Sequence, residues 1–68
     1  MENLQLAQRI RAYRKLKGFT QQQLAERSGV SLSVLGAIER GNRSAEDQIL
    51  TKIVDVLGIS MSELKSSE

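Results

Sequence analysis

Four glycines, Gly18, Gly29, Gly41 and Gly58, divide the chain, and each closes a stretch whose apolar residues recur at helical spacing. Shortly after each comes a hydroxyl residue: Thr20, Ser31, Ser44 or Ser60. A glycine just past a helix takes the left-handed conformation that caps a C-terminus, and a Ser or Thr oxygen accepts from the unbonded N–H groups that open the next helix. Thr20 with Gln23 and Ser60 with Glu63 have the spacing of a capping box, and Ser44 with Asp47 is a weaker version of it. Phe19 with Leu24, Val30 with Leu35 and Ile59 with Leu64 have the spacing of a hydrophobic staple across a helix start.

This punctuation predicts five short helices, over about 4–17, 21–28, 32–40, 45–57 and 61–65. Their apolar stripes are Leu6, Ile10 and Tyr13; Leu24 and Ala25; Leu35 and Ile38; and Leu50, Ile53, Val54 and Leu57. No segment alternates with period two over strand length, so no sheet is expected. The expected fold class is all-α, a compact five-helix bundle forming a single domain over residues 1–68 with its core at about 5–64.

Composition narrows the function. The 68 residues include no Cys and no His, which removes the common zinc ligands together with thiol and imidazole chemistry. A chain this short leaves little room for a substrate cleft, so the expectation is no enzyme, no metal, no cofactor and no small-molecule ligand. No apolar run approaches the roughly 18 residues of a membrane span. The opening MENLQLAQRI lacks the basic-then-apolar layout of a signal peptide. A cytoplasmic, nucleoid-associated location without membrane contact is expected.

The net charge of +2 conceals an uneven distribution. Residues 1–44 carry eight Lys and Arg against Glu2, Glu26 and Glu39, for +5, whereas residues 45–68 carry Lys52 and Lys65 against five acids, for −3. Such asymmetry points to an anionic partner for the first two-thirds and a different task for the rest. Only Ser28, Gly29, Val30 and Ser31 separate the second and third helices, the length and composition of the turn in a helix-turn-helix. An ordinary corner between two helices has the same spacing, and spacing by itself leaves both readings open.

Taken together, the segment TQQQLAERSGVSLSVLGAIERGNR resembles the helix-turn-helix of the lambdoid phage repressor and Cro family, which includes the bacterial regulators called XRE-like. The likeness begins with RIRAYRKLKGFTQ, runs through LA, SGVS and LGAIERGNR, and closes with LTKIVDVLGIS, covering roughly residues 5–64. It implies sequence-specific binding of double-stranded DNA by a small transcriptional regulator of the repressor kind. The third helix would lie in the major groove, with a homodimer on a palindromic operator. Position by position, it assigns Thr20, Gln21 and Gln22, at the start of the second helix, and Arg40, Asn42 and Arg43, after the third, to the DNA phosphates. A helix start without acidic residues suits an anion, and two cations beside an amide suit phosphate contacts. Arg11, Lys15 and Lys17 read as a solvated face of the first helix. Arg14 and Glu39 each stand four residues beyond a core position, Ile10 and Leu35, and so point inward. The family has a structural ion pair at these positions, joining its first and third helices.

The resemblance puts Leu32, Ser33, Gly36 and Ala37 at or near the bases. This is a departure from good major-groove readers, which carry Arg, Lys, Gln or Asn with forked polar groups. Three explanations are open. The small Gly36 and Ala37 let the helix sit close, with Leu32 or Ala37 against thymine methyls and Ser33 on a base edge. Alternatively, DNA shape supplies specificity and phosphates supply affinity. Or Leu32, Val34 and Ala37 form an apolar patch that makes the scaffold a protein-interaction module, antitoxin-like or anti-regulator-like. The acidic final third offers Ile49, Val56, Met61 and Leu64 either to a dimer interface or to completion of the monomer core. With the chain ending in KSSE, control through concentration, a partner protein or competition at the operator is expected.

Overall fold

The computed structural model describes residues 2–65, which form five helices and, among the described residues, no strand. They are α1 (Glu2–Leu16), α2 (Gln21–Ser28), α3 (Leu32–Glu39), α4 (Asp47–Leu57) and α5 (Met61–Lys65). Met1 and residues 66–68, the rest of the KSSE tail after Lys65, lie outside the described residues.

The helix ends follow from local chemistry. Thr20 Oγ1 accepts from the Gln23 N–H at 3.0 Å while Gln23 Oε1 accepts from the Thr20 N–H at 2.9 Å, the reciprocal capping box. Ser60 and Glu63 make the same exchange at 2.9 and 2.8 Å, and Ser31 Oγ accepts from the Val34 N–H at 3.1 Å. At the other ends, Phe19, Val30, Asn42 and Ile59 donate their backbone N–H groups to the carbonyls five residues back, at 3.0–3.2 Å. This closure turns the chain through a left-handed residue. Gly29 illustrates why glycine holds that place: its φ is +72°, and a Cβ added there would meet nothing within 4 Å. The expected cost of Gly29→Ala is therefore backbone strain alone, about 1–2 kcal/mol. A lower urea midpoint at unchanged slope would report it.

One start differs from the sequence expectation. The Ser44–Asp47 spacing suggests that Ser44 opens the fourth helix, whereas α4 begins at Asp47 with the extended Glu46 at its N-cap and no side-chain cap bond. Ala45 packs against the core, so tertiary contact holds this stretch outside the helix. The other boundaries lie within two residues of expectation.

Every helix contributes to a single core. Ile10 from α1, Leu24 from α2, Leu35 and Ile38 from α3, Leu50, Ile53 and Leu57 from α4, and Leu64 from α5 are all fully buried. Leu64 thus completes the monomer core, while Ile49, Val56 and Met61 are only half-buried against it. α1 packs on α3 and α5, and α2 packs on α3 and α4. Arg9 Nε donates to the Leu64 carbonyl at 2.8 Å, tying α1 to the end of α5. No helix of the described residues is long and apolar enough to cross a membrane.

Candidate nucleic-acid interface

The turn between α2 and α3 is set by its own four residues. Ser28 is buried and its hydroxyl donates to the Leu24 carbonyl at 2.6 Å, so a polar group closes the helix without an unmet donor. Gly29 reverses the chain, Val30 is buried, and Ser31 starts α3. The hydrophobic anchors on either side, Leu24 and Leu35, lock the two helices together.

With Leu35, Ile38 and Glu39 turned inward, α3 leaves Leu32, Ser33 and Arg40 exposed and Val34 and Ala37 half-buried. Among the described residues, Leu32, at 46% exposure, is one of three large apolar side chains so open to water. Gly36 lies on the same outward row but is itself covered. A Cβ built there would stand 3.1 Å from Arg40 Nη1 and 3.6 Å from Gln21 Oε1. Two side chains, one of them from α2, therefore cover the middle of the α3 face.

Beside that face stands the start of α2. Thr20 and Gln22 are exposed and Gln21 is half-buried. The first turn of α2 carries no acidic residue, and the capping box uses the Gln23 N–H, which leaves those of Gln21 and Gln22 without a helical acceptor. The positive end of the helix dipole is thus uncompensated. Beyond α3, Asn42 and Arg43 are exposed in the loop. Arg11 and Lys15 are exposed on α1 and Lys17 just after it, and Arg27 lies 5.1 Å from the centre of the Phe19 ring, a cation–π distance.

Behind the face, Arg14 and Glu39 are brought together. Arg14 Nε and Nη2 donate to the two Glu39 oxygens at 2.8 and 3.1 Å, and Arg14 Nη1 donates to the Phe19 carbonyl at 3.0 Å. Glu39 is nearly inaccessible, at 2% side-chain exposure against 12% for Arg14. A third donor, Gln21 Nε2, reaches Glu39 Oε1 at 3.1 Å. Sequence reasoning treats Gln21 as a phosphate ligand, whereas its side-chain amide is engaged inward on this pair. No local signal announces that contact, because 18 residues separate the partners. Among the described residues no His, Cys, Asp or Glu cluster could hold a metal ion.

Residues 10–64 match the model of the helix-turn-helix family, 55 of the 68 residues of the chain. The chain belongs to that family. Its helix-turn-helix relatives include YazB of Bacillus subtilis, an uncharacterized HTH-type transcriptional regulator, with 53% identity over 60 residues, 88% of this chain and 87% of YazB. The HTH-type transcriptional regulator SinR of Bacillus subtilis is 42% identical over 60 residues, 87% of this chain but 54% of SinR. Among solved structures, the restriction-modification controller protein C.AhdI from Aeromonas hydrophila superposes with a TM-score of 0.88 at 35% identity, covering 91% of this chain and 94% of C.AhdI. Membership agrees with the expected all-α fold and with a DNA-binding transcriptional regulator that is not an enzyme.

Proposed function

We propose that residues 1–68 act as one module that binds an operator in duplex DNA sequence-specifically and represses by occupying it, with α3 in the major groove. One juxtaposition carries the reading. The acid-free start of α2 stands directly beside the outward face of α3, with Gln21 Oε1 3.6 Å from where a Gly36 Cβ would be, while Asn42 and Arg43 follow the end of α3. A base-facing helix between two anion-binding elements fits a groove bounded by two phosphate strands.

In this arrangement Leu32, Ser33 and Ala37 meet base edges and thymine methyls. Thr20, Gln22 and the backbone N–H groups that open α2 hold one strand, and Asn42 and Arg43 hold the other. The Arg14–Glu39 pair stays out of contact with DNA and sets the angle at which α3 is offered. Two copies on a palindromic site would cover the half-buried Ile49, Val56 and Met61 of α4 and α5 and keep the acidic rear away from the phosphates. Sedimentation at micromolar concentration distinguishes that dimer from a monomer.

The variants Arg43→Ala and Ser33→Ala test the assignment on duplexes selected from a random pool. Loss of a phosphate ligand should weaken all sequences alike and lower the salt slope by about 1. Loss of a base-edge hydroxyl should change the ranking of sequences. If Ser33→Ala leaves that ranking unchanged, direct readout by Ser33 is wrong.

A further inference from the structure

The outward face of α3 lacks a forked polar group of its own, yet one lies across it. Arg40 is the residue four beyond Gly36 and eight beyond Leu32, so the three share one row of the helix surface. Long side chains on a helix lean toward its N-terminus, over the preceding turn. Arg40 does so here: its Nη1 comes within 3.1 Å of the point a Gly36 Cβ would occupy. The guanidinium is therefore directed back to the centre of the face and not outward past the helix end, where Asn42 and Arg43 stand. Gln21 closes the other side of the same spot, with Oε1 at 3.6 Å and Cδ at 4.0 Å, and its amide nitrogen is anchored on Glu39.

We propose that Arg40 is the base-reading side chain of this protein, its fork engaging the O6 and N7 acceptors of one guanine in the major groove, and that Gly36 is the clearance it requires. This rests on the major-groove reading of α3 given above. It reassigns Arg40 from the phosphate role that the resemblance implies and supplies the bidentate group missing from Leu32, Ser33 and Ala37. An arginine fork matched to guanine is the commonest specific pairing in the major groove. Gln21 is a positioning residue: held by Glu39, it bounds the space in which the guanidinium lies. Gly36 is in a helix with no positive φ, so the absence of a side chain there answers to the space above it and not to the backbone.

The test uses the full chain and duplexes that it selects from a random-centre pool, with each guanine replaced singly by 7-deazaguanine, which lacks the N7 acceptor. For the wild type, one guanine of the site should show about a 10- to 100-fold loss of affinity. Arg40→Ala and Arg40→Lys should both abolish the sensitivity at that guanine while leaving the pattern at other positions in place. Gly36→Ala should keep an equal or higher Tm, because alanine favours helix over glycine. It should nevertheless weaken the same sensitivity, since the new methyl would stand 3.1 Å from Arg40 Nη1, closer than ordinary contact, and the guanidinium would have to shift. If Arg40→Lys retains wild-type affinity and an unchanged profile, or Arg40→Ala weakens every duplex equally, Arg40 is a phosphate ligand and the proposal is overturned. An unaltered profile for Gly36→Ala removes the clearance argument. Failure of the wild type to bind any duplex in a salt-dependent way would instead overturn the groove reading itself, so the two failures are distinct.

Discussion

Glu39→Ala is expected to destabilise the domain by about 3–5 kcal/mol, the cost of removing one partner from a buried ion pair. The substitution deletes the acceptor of three hydrogen bonds, two from Arg14 and one from Gln21. It leaves a guanidinium with 12% side-chain exposure whose remaining protein acceptor is the Phe19 carbonyl. A domain of this length has a total stability of about 0.05–0.15 kcal/mol per residue, so the loss consumes much of it. At about 4–8 °C per kcal/mol, Tm should fall by more than roughly 12 °C, read by loss of helical circular dichroism on heating. Glu39→Gln keeps an oxygen for Arg14 but loses the charge, and its effect should be smaller. Pairing Arg14→Met with Glu39→Leu should recover most of the loss, because an apolar pair leaves no buried charge unmet. Near-wild-type melting of Glu39→Ala would show that the pair has no structural role.

The second large effect concerns binding. Affinity for duplex DNA should fall steeply with salt, because cations on the protein displace counterions condensed on the phosphates. With about five phosphate contacts per chain, the log–log slope should lie near −4 to −5, a loss of roughly 500-fold between 50 and 200 mM salt. The charge needed for this lies in the first 44 residues, at +5, and the exposed Arg11 and Lys15 of α1, with Lys17 just after it, add long-range attraction. Fluorescence anisotropy of a labelled duplex across a salt series measures the slope directly. Weak binding with a flat salt dependence would favour the protein-interaction module, in which the exposed Leu32 and the half-buried Val34 and Ala37 meet an apolar partner.

These two predictions differ in how far they could be anticipated from residues alone. The charge split is visible in the chain by counting, and the helix-turn-helix spacing shows which part of the molecule would meet an anion. The inward direction of Arg14 and Glu39 also follows from helical periodicity relative to Ile10 and Leu35. What periodicity does not contain is the third member of that group. The Gln21 amide reaches Glu39 only because α2 and α3 are packed at one particular angle, and that angle depends on core side chains from every helix. Covering of Gly36 by Arg40 and Gln21 has the same origin. In the sequence, Gly36 reads as an open position near the bases, whereas in the fold it lies beneath a guanidinium and an amide. The start of α4 shows the converse limit: Ser44 has the right chemistry to cap, and packing of Ala45 against the core delays the helix to Asp47.

The amino-acid sequence by itself determined the number of helices, nearly all of their ends and the turn between α2 and α3. Each of these depends on bonds within about six residues: a hydroxyl and its capped N–H, or the N–H that closes over a glycine. Tertiary structure alone decided what covers the middle of the outward face of α3 and what joins the ion pair behind it. Arg14, Gln21 and Glu39 converge across 18 and 25 residues of chain, and Gln21 approaches Gly36 from a different helix, as Arg40 does from beyond the end of α3. Such contacts exist only once the core has fixed how the helices cross.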